Sequence, residues 1–298
     1  MALLHTTRTL KLRRIRVLHI EPTDVCQAAC PMCAREVDAT FKKDSKHHLR
    51  IEHIQKHLSD RVIAGLDKMF MCGNYGDPAA GYYTMDIYQY FRKINDGITL
   101  GMNTNGGVQS TFFWHALGRL FNQPEDYCVF SIDGLEDTNH VYRKNVNWKK
   151  LMSNVQAYIA AGGSAHWDML VFKHNQHQVE ACERLARDMG FKWFRAKVSK
   201  REPVVGLEAP IGWQVPTHTV GKIDCHVLKE KSMYIDTQGR PSPCCWQGSR
   251  QQNFIKDDLT SLKATWKSNP DPVCSATCTS KKNMTVFDSQ WQREVELC

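Results

Sequence analysis

The sequence has no long hydrophobic run and no excess of glycine or proline. None of its apolar stretches approaches the roughly 18 residues that a membrane-spanning helix needs. With 18 Gly, 11 Pro and 42% hydrophobic residues among 298, the chain is neither collagen-like nor of low complexity. Residues 1–16 are charged and lack the apolar stretch and cleavage site of a secretory signal. We therefore predict a globular protein in the cytoplasm, with no membrane partner.

The excess of positive charge is moderate. The chain holds 39 Lys+Arg against 31 Asp+Glu, a formal charge of +8. Local basic clusters are confined to Lys11–Arg16 and His47–Arg50, and clusters this short favour a solvated surface. Nucleic-acid binding would need a basic face interleaved with aromatic residues, so we do not expect a nucleic-acid partner.

Cysteine, in contrast, is abundant, with twelve residues. A reducing cytoplasm does not maintain disulfides. Cysteines in such numbers are therefore better explained by metal ligation or catalysis.

Short apolar runs alternate with helical patterns over the first 200 residues. The predicted strands are Val17–Ile20, Met69–Cys72, Ile98–Met102, Tyr127–Ile132, Met169–Phe172 and Trp193–Val198, and the predicted helices are Ile51–Leu58, Met85–Ile94, Thr111–Phe121, Trp148–Ala160 and Val179–Met189. This alternation predicts parallel βαβ units and an α/β fold, a partial (β/α)6 TIM-like barrel. Its active site should lie at the carboxyl ends of the strands.

A change of composition divides the chain. Glu202–Thr219 is rich in Pro and Gly and indicates a linker, after which a small cysteine-rich extension begins. That extension contains a predicted strand at Ser232–Asp236 and a short helix at about Leu259–Lys267. We predict a basic segment at 1–16, the partial barrel at 17–200, a linker at 201–224 and the extension at 225–298, where a bound metal would supply stability that the small core lacks.

Three cysteines follow the first predicted strand. Cys26, Cys30 and Cys33 are spaced by three and then two residues on one loop, and no fourth cysteine occurs within the next 38 positions. Tetrahedral zinc or a four-cysteine iron-sulfur cluster needs a fourth ligand. Three ligands on a cubane leave one iron open to a small chelating molecule, which favours a catalytic role. A zinc loop or incidental buried cysteines are the alternatives.

This Cys-x3-Cys-x2-Cys element resembles the signature of the radical S-adenosylmethionine (radical SAM) superfamily. The resemblance implies that Cys26, Cys30 and Cys33 hold a catalytic [4Fe-4S] cluster, and that the methionine moiety of SAM chelates the open iron. It also implies reductive cleavage of SAM to a 5′-deoxyadenosyl radical, which abstracts hydrogen from a substrate. An electron donor such as flavodoxin or ferredoxin is the partner that this chemistry implies.

Polar residues after the later strands extend the resemblance. Gly73-Asn-Tyr-Gly76-Asp77-Pro is similar to the family's Gly-Gly-Glu-Pro segment, Asn103-Thr-Asn-Gly to its Thr-Asn-Gly, and Ser131-Ile-Asp133-Gly to its Ser-Ile-Asp-Gly. A downstream His and Arg and a polar residue after the fifth strand also match. The resemblance implies SAM contacts at Gly76, Asp77, Asn103, Ser131, Asp133, Arg143 and Asn175.

The extension resembles the SPASM and twitch domains of some radical SAM enzymes. Its cysteine count suits the shorter twitch arrangement, which implies one auxiliary [4Fe-4S] cluster on Cys225, Cys244, Cys274 and Cys278, with Cys245 as a substitute or neighbour. Structural zinc on four cysteines is the alternative. The remaining cysteines are expected to be unligated. Cys72, Cys128 and Cys182 lie within strand or helix patterns and are expected to be buried core residues, and Cys298 is the last residue of the sequence.

The resemblance leaves the substrate open, because a fold and its cofactor do not determine it. Enzymes with this extension act mostly on peptides or proteins, so we expect oxidative modification of a peptide. Dehydrogenation of a small alcohol or sugar is the first alternative. The second is a non-catalytic iron-sulfur or zinc protein that binds a partner or RNA.

Overall fold

The computed structural model describes most of the chain and nearly all of the predicted sheet. The described residues are 15–199, 201, 204–212, 218–219, 223–248, 271–278, 281–282 and 293–297. The predicted helix Leu259–Lys267, nearly all of the basic segment, parts of the linker and Cys298 lie outside them. Among the described residues, no helix combines the length and apolar character that a bilayer crossing requires.

The described strands form one large sheet and one small ribbon. They are β1 Val17–Ile20, β2 Lys68–Met71, β3 Thr99–Thr104, β4 Tyr127–Ser131, β5 Ala165–Val171, β6 Trp193–Val198, β7 His218–Thr219, β8 Ser232–Ile235, β9 Pro241–Ser242, β10 Lys281–Lys282 and β11 Arg293–Glu296. The large sheet has the order β11-β6-β5-β4-β3-β2-β1-β8-β9, and β7 pairs with β10 in the ribbon. Strands β1 to β6 are parallel and adjacent in chain order. The α/β class with a mainly parallel sheet is thus confirmed.

Helices connect the parallel strands. They are α1 Ala34–Val37, α2 Ile51–Gln55, α3 Asp60–Ile63, α4 Thr84–Ile94, α5 Thr111–Leu120, α6 Asn139–Tyr142, α7 Trp148–Ala160, α8 Val179–Met189, α9 His226–Glu230, α10 Cys245–Gly248 and α11 Pro272–Cys278. Short 3₁₀ turns occur at Pro78–Ala80 and Gln176–Gln178. Each of the longer helices buries an apolar stripe in a shared core.

The two faces of the parallel sheet differ in character. Leu18, Met69 and Phe194 are fully buried on the face that packs against the core. Their neighbours in sequence, among them His19 and Arg195, are half-buried on the opposite face. This second face is left available for a cavity.

The predicted elements are close to the observed ones. The helices Trp148–Ala160 and Val179–Met189 agree in both bounds, and Gly190, with φ 84°, ends the second in a left-handed conformation. Most other bounds differ by one or two residues, and two elements differ by more. Strand β5 begins at Ala165, earlier than the predicted start at Met169. The prediction missed this part of the strand because polar His166 and Asp168 interrupt the apolar run. The predicted helix Ile51–Leu58 ends at Gln55, and a separate short helix follows.

Strands from the C-terminal region extend the sheet at both edges. Strand β8 pairs with β1 in parallel, and β11 pairs with β6 antiparallel. The sheet therefore does not close on itself, since β1 and β6 each have a C-terminal strand as their outer neighbour. The predicted domain boundaries stay a prediction.

Candidate functional site

A cavity of about 520 Å³ lies at the carboxyl ends of the parallel strands. The loop after β1 contributes Cys26, Cys30 and Cys33, and the loop after β2 contributes Gly73 through Pro78. Polar residues of β3 to β6 complete the wall, namely Asn103, Thr104, Ser131, Asp168 and Lys197. The sheet thus brings side chains that are distant in sequence to the edge where the active site was predicted.

The three cysteines of the first motif lie together in this cavity. Burial raises the pKa of the Cys26 thiol to about 12, and Asp77 and the other two cysteines add to the rise. N–H donors approach two of the sulfurs: Asn105 Nδ2 lies 3.5 Å from Cys26 Sγ, and Arg143 Nη1 lies 3.8 Å from Cys30 Sγ. Such donors stabilise thiolates, which is the form in which cysteine binds a metal.

Arg143 is oriented by a fully buried carboxylate. Its Nε atom donates to Asp133 Oδ2 at 2.6 Å, and the second oxygen of Asp133 accepts from the backbone N–H of Leu170 at 2.6 Å. Burial raises the pKa of Asp133, although Arg143 offsets part of that rise. The pair fixes the guanidinium beside Cys30.

The loop Gly73–Asp77 is held tightly from two sides. Glu21, at the end of β1, accepts hydrogen bonds at Oε1 from the backbone N–H groups of Asn74 and Tyr75, both at 2.7 Å. A Cβ at Gly76 would lie 1.9 Å from the carbonyl oxygen of Thr23. Only glycine permits this approach of two backbones.

Asp77 closes the loop onto β3. Its Oδ1 accepts from Thr104 Oγ1 at 2.8 Å and from the backbone N–H of Ala79 at 2.9 Å, and its Oδ2 accepts from the backbone N–H of Asn105 at 2.7 Å. Burial raises the pKa of Asp77, and these bonds oppose the rise. Both carboxylate oxygens are therefore engaged within the protein, although the residue lines the cavity.

Two of the seven predicted SAM contacts do not line this cavity. Gly76, Asp77, Asn103, Ser131 and Arg143 do line it, whereas Asp133 and Asn175 are fully buried behind it. Asn175 accepts from the backbone N–H of Phe172 at 2.7 Å and donates to the carbonyls of Asp133 and Leu170, both at 2.9 Å. These two polar residues stabilise loops at the strand ends.

Several residues of the site were missed at the sequence level. Asn105 belongs to the same Asn-Thr-Asn-Gly stretch as Asn103, and the motif alone does not distinguish which asparagine is the SAM contact. Lys197 and Arg195 alternate with apolar residues along β6, which signals that both lie on one face of a strand. Glu21 offered no signal beyond being a carboxylate at the end of a strand.

The four cysteines predicted for the second site also lie near one another. Burial raises the pKa of Cys244, and the thiols of Cys225 and Cys278 raise it further. Burial likewise raises the pKa of Cys274 to about 11, with Cys244 and Cys278 as the next causes. Gln247 Nε2 donates to Cys274 Sγ at 3.4 Å.

Cys245 has electrostatic neighbours both within and outside this group of four. Burial raises its pKa to about 12, and after Cys244 the contributing neighbours are Cys72 and Glu21. Cys128 and Cys182 are fully buried, as expected. The interpretation of Cys72 as a core residue is wrong, because it lines the cavity with the first three cysteines. Its strongest electrostatic neighbours are nevertheless Glu21 and Asp77, not that trio.

Both groups of thiols suit iron-sulfur clusters in their donor chemistry. Among the residues described, no group of three or more His, Cys, Asp or Glu side chains is gathered closely enough for a single metal ion. A cubane cluster accepts thiolates that are farther apart, because each thiolate binds a different iron atom. The N–H donors beside Cys26, Cys30 and Cys274 are of the kind that stabilises cluster thiolates.

The sequence matches known proteins over part of its length. The family model described as "Radical SAM superfamily" matches residues 20–187, more than half of the chain. The GTP 3′,8-cyclase of Alkaliphilus oremlandii (strain OhILAs) is 30% identical over 94 residues, which are 32% of this chain and 28% of that protein. The match thus spans little more than a quarter of this curated relative.

Two solved structures share the fold over most of the chain. Streptococcus suis SuiB bound to S-adenosylmethionine covers 90% of this chain and 70% of its own, with a TM-score of 0.58 and 13% identity. The protein anSMEcpe with bound AdoMet covers 90% of this chain and 81% of its own, with a TM-score of 0.60 and 12% identity. Identities this low establish similarity of fold alone.

Proposed function

Because the chain belongs to the radical SAM superfamily, whose members are enzymes that use a [4Fe-4S] cluster and SAM, we propose that Cys26, Cys30 and Cys33 hold that cluster. The cluster and SAM would supply a 5′-deoxyadenosyl radical able to remove a hydrogen atom from a substrate. The protein would then be an oxidoreductase or maturase that modifies its substrate oxidatively. The finer description of the fold as a partial (β/α)6 barrel belongs to this proposal, and the open sheet supports it.

The observation that carries the proposal is the shared cavity of three cysteines with N–H donors beside two sulfurs. Cys72 also lines this cavity, but its strongest electrostatic neighbours are Glu21 and Asp77, not the three cysteines of the motif. We therefore assign three ligands to the cluster, which leaves one iron for SAM.

The residues around the cavity have distinct roles in this proposal. Gly76 lets the backbone of its loop approach the SAM amino group, and Asn103 and Ser131 offer polar contacts from the strand ends. Arg143 pairs with the SAM carboxylate and offsets thiolate charge beside Cys30. Asp133 and Asn175 act as positioning residues, since each is hydrogen-bonded behind the cavity wall.

We assign the auxiliary [4Fe-4S] cluster to Cys225, Cys244, Cys274 and Cys278. Their mutual electrostatic coupling supports this set, whereas Cys245 couples to Cys72 and Glu21 as well as to Cys244, so we assign it as a neighbour and not as a ligand. Four protein ligands would leave no open iron, which favours electron transfer over substrate binding. Structural zinc on these four cysteines remains the alternative, and protein with zinc at this site would contain less iron per chain than protein with two clusters.

A peptide is the substrate class that we favour. SuiB has been solved with a precursor peptide, SuiA, and anSMEcpe with a peptide named Cp18Cys, and both share this fold. The alternative of a small alcohol or sugar uses the same hydrogen abstraction. Flavodoxin or ferredoxin would donate the electron.

Anaerobic reconstitution followed by incubation with SAM and a reductant tests the proposal. We expect 5′-deoxyadenosine in the wild type and none in Cys26→Ala, Cys30→Ala or Cys33→Ala. Iron should be about eight atoms per chain for two cubanes, and about four in each of these variants. Cys182→Ala is the matched control, because Cys182 is fully buried in α8 and does not line the cavity.

Two outcomes would contradict the proposal. Wild-type protein with its full iron load that forms no 5′-deoxyadenosine would exclude a radical SAM activity. Retained cleavage in all three alanine variants would exclude the ligand assignment. About four iron atoms with one zinc would make the second site structural.

A further inference from the structure

Gln247 contacts two of the four cysteines that we assign to the auxiliary cluster. Its backbone N–H donates to the sulfur of Cys244, and its side-chain Nε2 donates to Cys274 Sγ at 3.4 Å. Both ends of the second contact are buried, since Gln247 is 3% exposed and Cys274 is 5% exposed. The amide therefore meets the sulfur in a place that is shielded from water.

The side-chain amide of Gln247 is paired at one end. Its N–H end faces sulfur, whereas its buried Oε1 has no hydrogen-bond partner among the residues that the structure describes. A buried carbonyl oxygen without a donor destabilises a fold, and an apolar side chain of similar size would avoid that loss. Packing alone thus does not explain a glutamine at this position, but a requirement for its N–H group does.

The other N–H donors at this site come from the backbone. Two successive backbone N–H groups donate to the sulfur of Cys225, and two more donate to the sulfur of Cys244. Every residue except proline supplies such a donor, whatever its side chain is. At Cys274, in contrast, the donor is the side chain of Gln247, so this bond depends on the identity of one residue.

An N–H group beside a ligand sulfur affects how readily an iron-sulfur cluster accepts an electron. A thiolate bound to iron carries no hydrogen, so the N–H end of the amide is the end that can bond to it. Reduction adds one negative charge to a cluster and its sulfurs, and an N–H donor stabilises the more negative state more strongly. The effect is larger in a buried site, because water does not screen it. Such a bond therefore raises the reduction potential.

We propose that Gln247 raises the reduction potential of the auxiliary cluster through its N–H bond to Cys274, and thereby makes that cluster a better electron acceptor. This inference rests on the proposed function for the existence of the cluster, and it adds the residue that adjusts the potential. Helix α10 begins directly after Cys244 and contains Gln247, so the donor and one ligand belong to the same short segment.

A redox titration of the iron-loaded full chain, followed by electron paramagnetic resonance with oxygen excluded, tests this role. SAM should alter the signal of the first cluster, which keeps an open iron, so the signal that does not respond to SAM belongs to the auxiliary cluster. Gln247→Met removes the N–H group and keeps a side chain of similar length. At the wild-type midpoint potential, the ratio of reduced to oxidised auxiliary cluster should fall about threefold to tenfold in this variant, and tenfold corresponds to about 59 mV.

Gln238→Met is the matched control. It makes the same change on the exposed turn between β8 and β9, and it should leave the ratio unchanged. A second measurement needs no variant. Wild-type protein whose glutamine side chains contain the heavy isotope of nitrogen should show a nitrogen coupling in the pulsed resonance spectrum of the reduced auxiliary cluster. This result decides the proposal even if Gln247→Met fails to retain its iron.

The proposal is overturned if Gln247→Met has the wild-type potential or a higher one, if Gln238→Met shows the same shift, or if the labelled wild type shows no coupling. Metal content separates these results from failure of the proposed function. About four iron atoms and one zinc in the wild type would contradict the auxiliary cluster itself, and this inference with it. Absence of 5′-deoxyadenosine with the shift intact would contradict the radical SAM activity and leave the role of Gln247 standing.

Discussion

The hydroxyl of Tyr234 donates a hydrogen bond to Oε2 of Glu21, a residue 213 positions earlier in the chain. The other oxygen of Glu21 accepts from the backbone of Asn74 and Tyr75. Asn74 in turn donates through Nδ2 to the carbonyl of Cys245 at 3.2 Å. One buried carboxyl thus connects a C-terminal strand to the loop proposed to bind SAM.

Removing the Tyr234 hydroxyl should loosen that loop. Tyr234→Phe leaves a buried oxygen of Glu21 without its donor, so we expect a loss of about 1–3 kcal/mol in the free energy of unfolding and weaker SAM binding. Urea unfolding and equilibrium binding measure the two effects. Tyr82→Phe is the control, because Tyr82 is 76% exposed and should tolerate the change. Equal losses in both variants would show that the Glu21 contact contributes nothing.

Glu21 should make stability depend on pH. Burial raises its pKa to about 7 from an ordinary value of 4.5, and its hydrogen bonds offset only part of the rise. Because the folded state favours the protonated form, this contribution is complete below the ordinary value and is lost as pH rises through about 7. The loss has a limiting slope of about 1.4 kcal/mol per pH unit.

The variant Glu21→Gln isolates this effect. Its amide does not titrate, so its free energy of unfolding should decline less than that of the wild type between about pH 5 and about pH 8. Denaturant unfolding at several pH values measures the difference, with Glu180→Gln on the exposed face of α8 as the control. Parallel curves for wild type and Glu21→Gln would refute the role of Glu21.

Arg143 should be needed for folding as well as for the site. Arg143→Met strands the buried Asp133 carboxylate, and we expect a loss of about 3–5 kcal/mol in the free energy of unfolding. Arg184→Met, which removes a mostly exposed guanidinium from α8, should change it by no more than about 0.5 kcal/mol. Chemical denaturation distinguishes these results, and a similar small loss in both would contradict the proposed pairing.

Gly76 should not accept a side chain. Gly76→Ala would place a methyl group 1.9 Å from the Thr23 carbonyl oxygen, so the loop must move away. We expect a destabilisation of about 1–3 kcal/mol and a marked loss of SAM affinity. Gly97→Ala, whose nearest neighbour would lie 4.0 Å away, is the matched control. SAM affinity that is unchanged in Gly76→Ala would exclude this loop from the binding site.

Local patterns predicted most of the parallel sheet. Strands β1 and β6 and helices α7 and α8 agree in both bounds, because apolar periodicity and the left-handed Gly190 are properties of the local sequence. The start of β5 was missed because the prediction depended on apolar residues. His166 and Asp168 face a cavity, and a strand with polar residues on its cavity face does not look apolar.

The direction of polar side chains was not predictable in the same way. The sequence shows that Asp133 and Asn175 follow strands. It does not show that their side chains are hydrogen-bonded to neighbouring backbone groups. Likewise, the contact between Glu21 and Tyr234 depends on the pairing of β1 with β8, which no local pattern encodes. The cysteine spacing was informative because ligation by one cluster constrains residues that are close in sequence.

Because β8 pairs with β1 and β11 pairs with β6, the large sheet cannot be completed until these C-terminal strands have been synthesised. One edge of β1 stays unpaired until residue 235 has been synthesised, and one edge of β6 stays unpaired until residue 296 has been synthesised. An unpaired strand edge is prone to wrong pairing, so this interval is the one in which a chaperone would be most effective. Iron loading of the first cysteine motif before that point would occur while the neighbouring loop Gly73–Asp77 still lacks the support that Tyr234 gives through Glu21.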